Sequence, residues 1–207
     1  MRPRRLARWP LIFVVGCVSV GGFGVAAAAT PGYDRVVVKA AGISLLIPDT
    51  WDVGTTSRKQ AKQTLRDNPD LVKTGLTVED LVSTPLQAGW DGNDDGYPDR
   101  WAVVERVRGV DYLPSPSAAR SLLENTEGVK DLTMKRATVA GKPALVATFA
   151  QDLVRDDGST VTPHSTTYFF VGPSKQMDLV QFFRLDSVDP EFDQMILTMN
   201  KSIRYVR

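Results

Sequence analysis

The chain has 207 residues, with 25 Lys and Arg against 24 Asp and Glu, and it contains one cysteine and one histidine. This near balance of charge lacks the basic excess that a nucleic-acid or anionic-membrane partner requires. One histidine and one cysteine also exclude a histidine-rich zinc site and a disulfide framework.

Residues 1–29 have the pattern of a secretory signal peptide. The only charged residues before Asp34 are four arginines, Arg2, Arg4, Arg5 and Arg8, and Ala26 to Ala29 offers small residues for cleavage, most simply after Ala29. Removal of this leader leaves 21 basic and 24 acidic residues, a net charge of −3. We therefore predict one exported domain at residues 30–207, either secreted or retained at the extracytoplasmic cell envelope.

Two alternatives for the leader stay open. The uncharged run from Trp9 to Tyr33 is long enough to span a bilayer if it is not cleaved, which would make it an N-terminal anchor. The segment Val14-Val15-Gly16-Cys17 also resembles a bacterial lipobox, which would place a lipid on Cys17.

The first half of the domain predicts strands and helices in alternation. Ile43 to Ile47 and Trp101 to Val107 have the composition of strands. A largely solvated helix is predicted from Thr56 or Ser57 to Arg66. Ser115-Pro116 begins another helix that Gly128 ends, with an apolar stripe of Ala118, Ala119, Leu122 and Leu123.

The second half contains the strongest signals. Three strands are predicted at Ala144–Phe149, Ser165–Val171 and Met177–Leu185, with Asp156 to Ser159 as a hairpin loop. In the last of these strands, the face that carries Asp178 is expected to be partly solvent-exposed. Asp189 and Pro190 predict a helix start, followed by the buried stripe Phe192, Met195, Ile196 and Met199 and a short closing strand within Ser202 to Val206.

Helices placed among antiparallel strands predict an α+β fold, with an antiparallel sheet covered by helices. The order of elements resembles the PsbP-like family, and three segments support the likeness: Ile43 to Trp51, the turn Val139 to Ala144, and the closing helix with Phe192, Ile196 and Ser202. The resemblance implies an α/β/α sandwich around a mainly antiparallel sheet. It also implies binding or accessory work with another protein or an envelope component, and no single reaction.

The segment from Asp91 to Asp99 is the sharpest candidate for ligand chemistry. Asp91, Asn93 and Asp95 occupy positions 1, 3 and 5 of an EF-hand-like loop, Gly96 occupies position 6, and Tyr97 and Asp99 add a carbonyl and a carboxylate. Ala102 stands where the bidentate Glu belongs. The segment therefore predicts either a weak Ca²⁺ site or an ordinary polar hairpin loop.

Catalytic signatures are sparse. His164 lies in a polar stretch that reads as a loop, and neither a G-x-S-x-G elbow nor a nucleotide-binding glycine motif occurs. Trp51, Trp90 and Trp101 are interpreted as core residues, the alternative being an exposed binding platform. We predict an exported binding or accessory protein that is not an enzyme. The alternative is a hydrolase of envelope polysaccharide or peptide that uses Asp95 or Asp99.

The calcium interpretation makes a simple prediction. EDTA should lower the melting temperature of the purified protein, because an ion that binds only the native state stabilises it by mass action. In an Asp95→Ala variant the melting temperature should be the same with and without EDTA. An unchanged melting temperature of the wild-type protein in EDTA would contradict a calcium site.

Overall fold

The computed structural model describes residues 32–56, 58–67, 69, 77–92, 98–154, 160–185 and 187–206. The predicted leader at residues 1–29, with Cys17 and the cleavage point after Ala29, lies outside these ranges, as does the loop from Asp156 to Ser159. None of the helices in these ranges is both long enough and apolar enough to cross a membrane.

Twelve strands and four helices occur within the described ranges. The helices are α1 (Arg58–Asp67), α2 (Val78–Ser83), α3 (Pro116–Glu124) and α4 (Pro190–Ser202). The strands are β1 (Tyr33–Val38), β2 (Ile43–Pro48), β3 (Asp52–Thr55), β4 (Leu86–Trp90), β5 (Arg100–Val107), β6 (Val129–Val139), β7 (Lys142–Gln151), β8 (Leu153–Val154), β9 (Thr160–Val161), β10 (His164–Val171), β11 (Met177–Arg184) and β12 (Arg204–Tyr205).

A seven-stranded sheet in the order β3-β4-β5-β11-β10-β7-β6 forms the centre of the fold, and every neighbouring pair is antiparallel. A three-stranded sheet in the order β1-β2-β12 and a small β8-β9 ribbon complete the strand pairing in the described residues. The predicted α+β fold with a mainly antiparallel sheet is therefore confirmed.

The central sheet is covered on both faces. On one face Val104, Phe170 and Phe182 pack in one core with α4 and the three-stranded sheet. On the other face Leu145, Phe149 and Phe169 pack in a second core with Ala119 and Leu123 of α3. Successive strand residues point to opposite faces, so the two cores alternate along β7, β10 and β11.

The prediction that the Asp178 face of β11 is partly solvent-exposed is wrong for most of the strand. Asp178, Val180 and Phe182 on that face are fully buried, and only Arg184 at the end of the strand is half-buried. Solvent is excluded from this face because the three-stranded sheet and α4 cover it. Burial of successive residues in this way is typical of a strand that is covered on both faces of its sheet.

Both predicted helix starts are confirmed. Asp189 caps α4, since its Oδ1 accepts a 3.0 Å hydrogen bond from the Phe192 amide, and Pro190 is the first helical residue. Ser115 caps α3 in the same way through the Ala118 amide. The predicted stripe of α3 is wrong in two members, because Ala118 and Leu122 are exposed, and the helix ends at Glu124, before Gly128.

A chain of polar side chains crosses the central strands on the face that carries Leu179. Gln181 Nε2 donates to Glu105 Oε2 at 3.1 Å, Thr167 Oγ1 lies 3.5 Å from Gln181 Oε1, and the hydroxyls of Ser165 and Thr167 are 2.9 Å apart. Burial raises the pKa of Glu105 to about 7, although the hydrogen bond from Gln181 favours the charged form. Glu105 is therefore a half-buried acid whose pKa lies near neutral.

This raised pKa predicts how stability depends on pH. The native state holds the Glu105 proton more tightly than the unfolded state, whose ordinary pKa is 4.5, so the free energy of unfolding should fall as pH rises towards 7. Between pH 6 and 7 the loss should be about 1 kcal/mol, since one pH unit of displacement corresponds to about 1.4 kcal/mol. Urea unfolding of Glu105→Gln over that interval should give a clearly shallower profile than the wild type, and the small remaining loss belongs to Asp178, whose pKa burial raises to about 6. Parallel profiles for the wild type and the variant would contradict the assignment.

Candidate functional site

The predicted calcium loop is the connection between β4 and β5. Asn93, Asp95 and Tyr97 lie outside the described residues, whereas Asp91 and Asp99 lie within them. The Asp99 amide donates to the Trp90 carbonyl at 2.9 Å, and Asp99 Oδ2 accepts a 2.9 Å hydrogen bond from the Gly92 amide. The Asp99 carboxylate thus closes the base of a hairpin, and calcium binding stays a prediction.

The three tryptophans do not share one surface. Trp51 and Trp101 are 6% and 7% exposed, as predicted for core residues, and Trp51 stacks on Phe192 of α4. Trp90 is 38% exposed, so the core interpretation is wrong for it. The Arg100 guanidinium carbon lies 5.3 Å from the centroid of the Trp90 ring, a cation–π contact that holds the ring in place.

His164 was predicted to lie in a loop, but it is the first residue of β10, opposite Ala150 on one side and Arg184 on the other. It is half-buried at the edge of the ladder. No group of three or more His, Cys, Asp and Glu side chains in the described part of the chain is arranged to hold a metal ion.

A concave site with three arginines lies at the end of the sheet where β5 stops. Its volume is about 350 Å³, and its polar lining consists of Thr56, Arg58, Ser83, Arg106, Arg108 and Gln176. We call this site the arginine cleft. Five parts of the chain contribute these side chains: the residue after β3, the start of α1, the end of α2, the end of β5 and the turn before β11. Its volume falls within the lower part of the range for small-molecule sites, about 300–1,000 Å³.

A buried ion pair fixes the central arginine of this cleft. Arg106 of β5 and Asp178 of β11 are directly opposite each other in the antiparallel ladder. Arg106 Nε donates to Asp178 Oδ1 at 3.1 Å, with the Arg106 side chain 20% exposed and that of Asp178 fully buried. The Arg106 guanidinium is therefore held in position by the Asp178 carboxylate, which is inaccessible to solvent.

Asp178 is only partly satisfied by this pair. Its Oδ2 has no hydrogen-bond partner among the described residues, and the same is true of the buried Nη2 of Arg106. Burial raises the pKa of Asp178 to about 6, because the cost of desolvating the carboxylate outweighs the attraction of Arg106. Asp178 is therefore largely ionised at pH 7 and becomes neutral in mildly acidic solution.

The other two arginines differ in how they are paired. Arg58 Nη2 lies 2.6 Å from Glu79 Oε1 of α2, and both side chains are well exposed. Arg108 is exposed and forms no ion pair with any residue that the structure describes. Since α1 begins at Arg58, the positive end of its helix dipole also lies at the cleft.

A larger depression of about 500 Å³ at the C-terminal end of α4 is also lined by basic residues, Lys201 and Arg204. There Arg204 Nη1 donates to the carbonyls of Lys201 and Ile203, at 2.7 and 2.8 Å. Basic side chains at a helix C-terminus neutralise its exposed carbonyls. The basic character of this second depression thus has a structural cause within the chain, and the arginine cleft is the stronger candidate site.

No residue of the arginine cleft is predicted from the sequence to bind a ligand. One signal was present, because alternation along β5 places Arg106 on the same face as Ala102 and Val104, which are buried. An arginine on an apolar face requires a partner, and Asp178 in the apolar run of β11 is the matching acid. The sequence around Arg58 and Arg108 does not indicate a binding site, because arginine is common on protein surfaces.

No protein-family model matches this chain, and no curated protein matches it. Among solved structures it is similar to LpqN of Mycobacterium tuberculosis, described as involved in cell envelope biogenesis, with 14% identity, a TM-score of 0.44 and coverage of 87% of this chain and 88% of LpqN. It is also similar to cyanobacterial PsbP from Synechocystis sp. PCC 6803, with 11% identity, a TM-score of 0.44 and coverage of 88% and 98%. The predicted PsbP-like resemblance agrees with these two likenesses, which concern the fold alone.

The tight surroundings of Asp178 predict the effect of one methyl group. A Cβ at Gly172 would lie 2.0 Å from Asp178 Oδ2, so Gly172→Ala should displace the carboxylate and lower the free energy of unfolding by about 2 kcal/mol. Gly54→Ala is the matched control, because its Cβ would meet nothing closer than the Gln87 carbonyl at 3.8 Å. Equal stability of the two variants in urea unfolding would contradict this description of the site.

Proposed function

We propose that this protein is an exported, extracytoplasmic binding domain without catalytic activity, and that the arginine cleft binds the anionic group of its ligand. The ligand is a component of the cell envelope or a group on a partner protein. The observation that supports the proposal most strongly is the convergence of Arg58, Arg106 and Arg108 on one concave site of ligand-binding size.

The support for export comes from residues 1–29. A basic start, a long uncharged run and a closing stretch of small residues are the three parts of a secretory leader. The predicted mature domain has no cysteine, and its two hydrophobic cores stabilise it without a disulfide. An uncleaved anchor or a lipid on Cys17 would keep the same domain outside the cytoplasm.

The chemistry of the cleft favours binding over bond cleavage. Arginine stays charged at all ordinary pH values, so it supplies charge and hydrogen bonds but does not exchange protons as a general acid or base. The nearest carboxylate with a displaced pKa, Asp178, lies beneath Arg106 and is fully buried. Its position suits the support of a cation and does not suit contact with a substrate.

A Ca²⁺ ion at Asp91 to Asp99 is a separate part of this proposal, and it rests on the spacing of Asp91, Asn93, Asp95, Tyr97 and Asp99 alone. The ion would stiffen the hairpin at the opposite end of β5 from the arginine cleft, since the hairpin precedes Arg100 and the cleft lies beyond Val104. Its role would be structural, and it would not take part in ligand binding.

The binding proposal is tested with simple anions. Protein purified from the extracytoplasmic fraction, with Thr30 as its expected first residue, is titrated with acetate, phosphate and sulfate against chloride at constant ionic strength, and backbone amide shifts are followed by NMR. Shifts should concentrate at Thr56, Arg58, Arg108 and Gln176. Arg108→Gln should weaken the response, and Arg136→Gln, which removes an exposed arginine from β6, should leave it unchanged. Absence of any cleft-specific shift would overturn the proposal.

A further inference from the structure

We propose that the arginine cleft selects a tetrahedral oxyanion presented as a monoester, a phosphate or sulfate group on a small stem, over a carboxylate. This inference rests on the proposed function, because it names the ligand class of the same site. It follows from the direction and the state of pairing of the donors that line the cleft.

The first argument concerns the edge of the Arg106 guanidinium. A carboxylate or a phosphate can accept two parallel hydrogen bonds from one guanidinium edge, and an arginine whose edge is already occupied acts only as one of several separate donors. In Arg106 the Nε–Nη2 edge is turned inward, because Nε donates to Asp178 and Nη2 is buried. Nη1 is then the one guanidinium nitrogen of Arg106 that is left for a ligand. Arg106 therefore offers a ligand one nitrogen donor and not a bidentate pair of donors.

The second argument concerns the directions from which donors approach. Arg58 comes from the start of α1, Arg106 and Arg108 from the end of β5, and Gln176 from the turn before β11. A tetrahedral oxyanion presents three oxygens pointing in different directions and accepts hydrogen bonds from each side. A carboxylate has two oxygens with about four lone-pair positions near one plane, so it accepts from fewer of these separate donors than a phosphate or sulfate group does.

The third argument concerns space. The cleft volume of about 350 Å³ exceeds what a bare oxyanion occupies, so an ester stem fits beside the charged group. The lining there includes the apolar Ala40 and Val82 together with the polar Thr56 and Gln176. This mixture suits a short stem with both carbon and hydroxyl groups, as in a glycerol or sugar ester.

The fourth argument concerns competition within the protein. Glu79 occupies Nη2 of Arg58, but both side chains are about half exposed or more. Exposed ion pairs contribute little to stability, so an anionic ligand can displace Glu79 at small cost. Glu79 is therefore an internal competitor for the ligand, and its removal frees the Arg58 guanidinium.

The test compares stems of similar size with different head groups. Glycerol 3-phosphate, glycerol sulfate and glycerate are titrated into the full exported protein at pH 7.5 and constant ionic strength, with dissociation constants from NMR shifts. The two tetrahedral esters should bind at least about fivefold more tightly than the carboxylate, because they engage more of the separate donors. Equal or tighter binding of glycerate would overturn the selectivity while leaving anion binding intact. Failure of all three ligands would overturn the proposed function itself.

Two cleft variants and one control variant test whether the ligand binds at the arginine cleft. Glu79→Gln should tighten binding of glycerol 3-phosphate about threefold, and Arg108→Gln should weaken it about tenfold, since each changes one charge at the cleft. Arg136→Gln should stay within about twofold of the wild type, because only non-specific attraction is changed. Melting temperatures verify that each variant is folded. If Glu79→Gln leaves the affinity unchanged, or if all arginine variants weaken binding equally, the assignment to this cleft is wrong.

The two esters are distinguished by pH. The second ionisation of a phosphate monoester has a pKa of about 6, whereas a sulfate monoester keeps a single charge. A phosphate ligand should therefore lose affinity between pH 7.5 and 5.5 more steeply than a sulfate ligand. The ester with the smaller dissociation constant at pH 7.5 identifies the head group that the cleft favours.

Discussion

The ion pair between Arg106 and Asp178 is the constraint on which the organisation of this molecule depends. It joins two central strands at a point where one partner is fully buried and the other reaches the surface. A buried charge that loses its partner costs several kcal/mol, so neither residue is free to move independently of the other. The pair thereby links the hydrophobic core of the sheet to the arginine cleft and fixes the orientation of the Arg106 side chain.

The two-layered covering of the sheet makes this pair possible. The three-stranded sheet and α4 cover the face that carries Asp178, so its carboxylate is removed from water. Close approach of the backbone at Gly172 completes the enclosure. Binding proteins commonly hold polar groups on rigid elements in this way, because a group that is fixed in advance loses less entropy when the ligand arrives.

Much of the fold could be predicted from the sequence, and the reasons are local. The caps at Ser115 and Asp189 and the apolar runs of β7, β10 and β11 each lie within a short segment, so their signals survive without tertiary context. Strand β4 was missed because it is short and contains Gly89, and most of β6 was missed because it is an exposed edge strand rich in polar residues. The cleft was missed because Arg58 and Asp178 are 120 positions apart and only the strand order brings their surroundings together.

A double-mutant cycle between Arg106 and Asp178 tests the central claim most directly. Arg106→Met, Asp178→Leu and the double variant are compared with the wild type by urea unfolding at pH 7.5, where Asp178 is ionised. Each single change leaves a buried or half-buried charge unpaired, so we expect the double variant to be more stable than the sum of the single losses implies, with a coupling energy of at least about 2 kcal/mol. Additive losses, within about 0.5 kcal/mol, would show that the two residues act independently and would contradict this account.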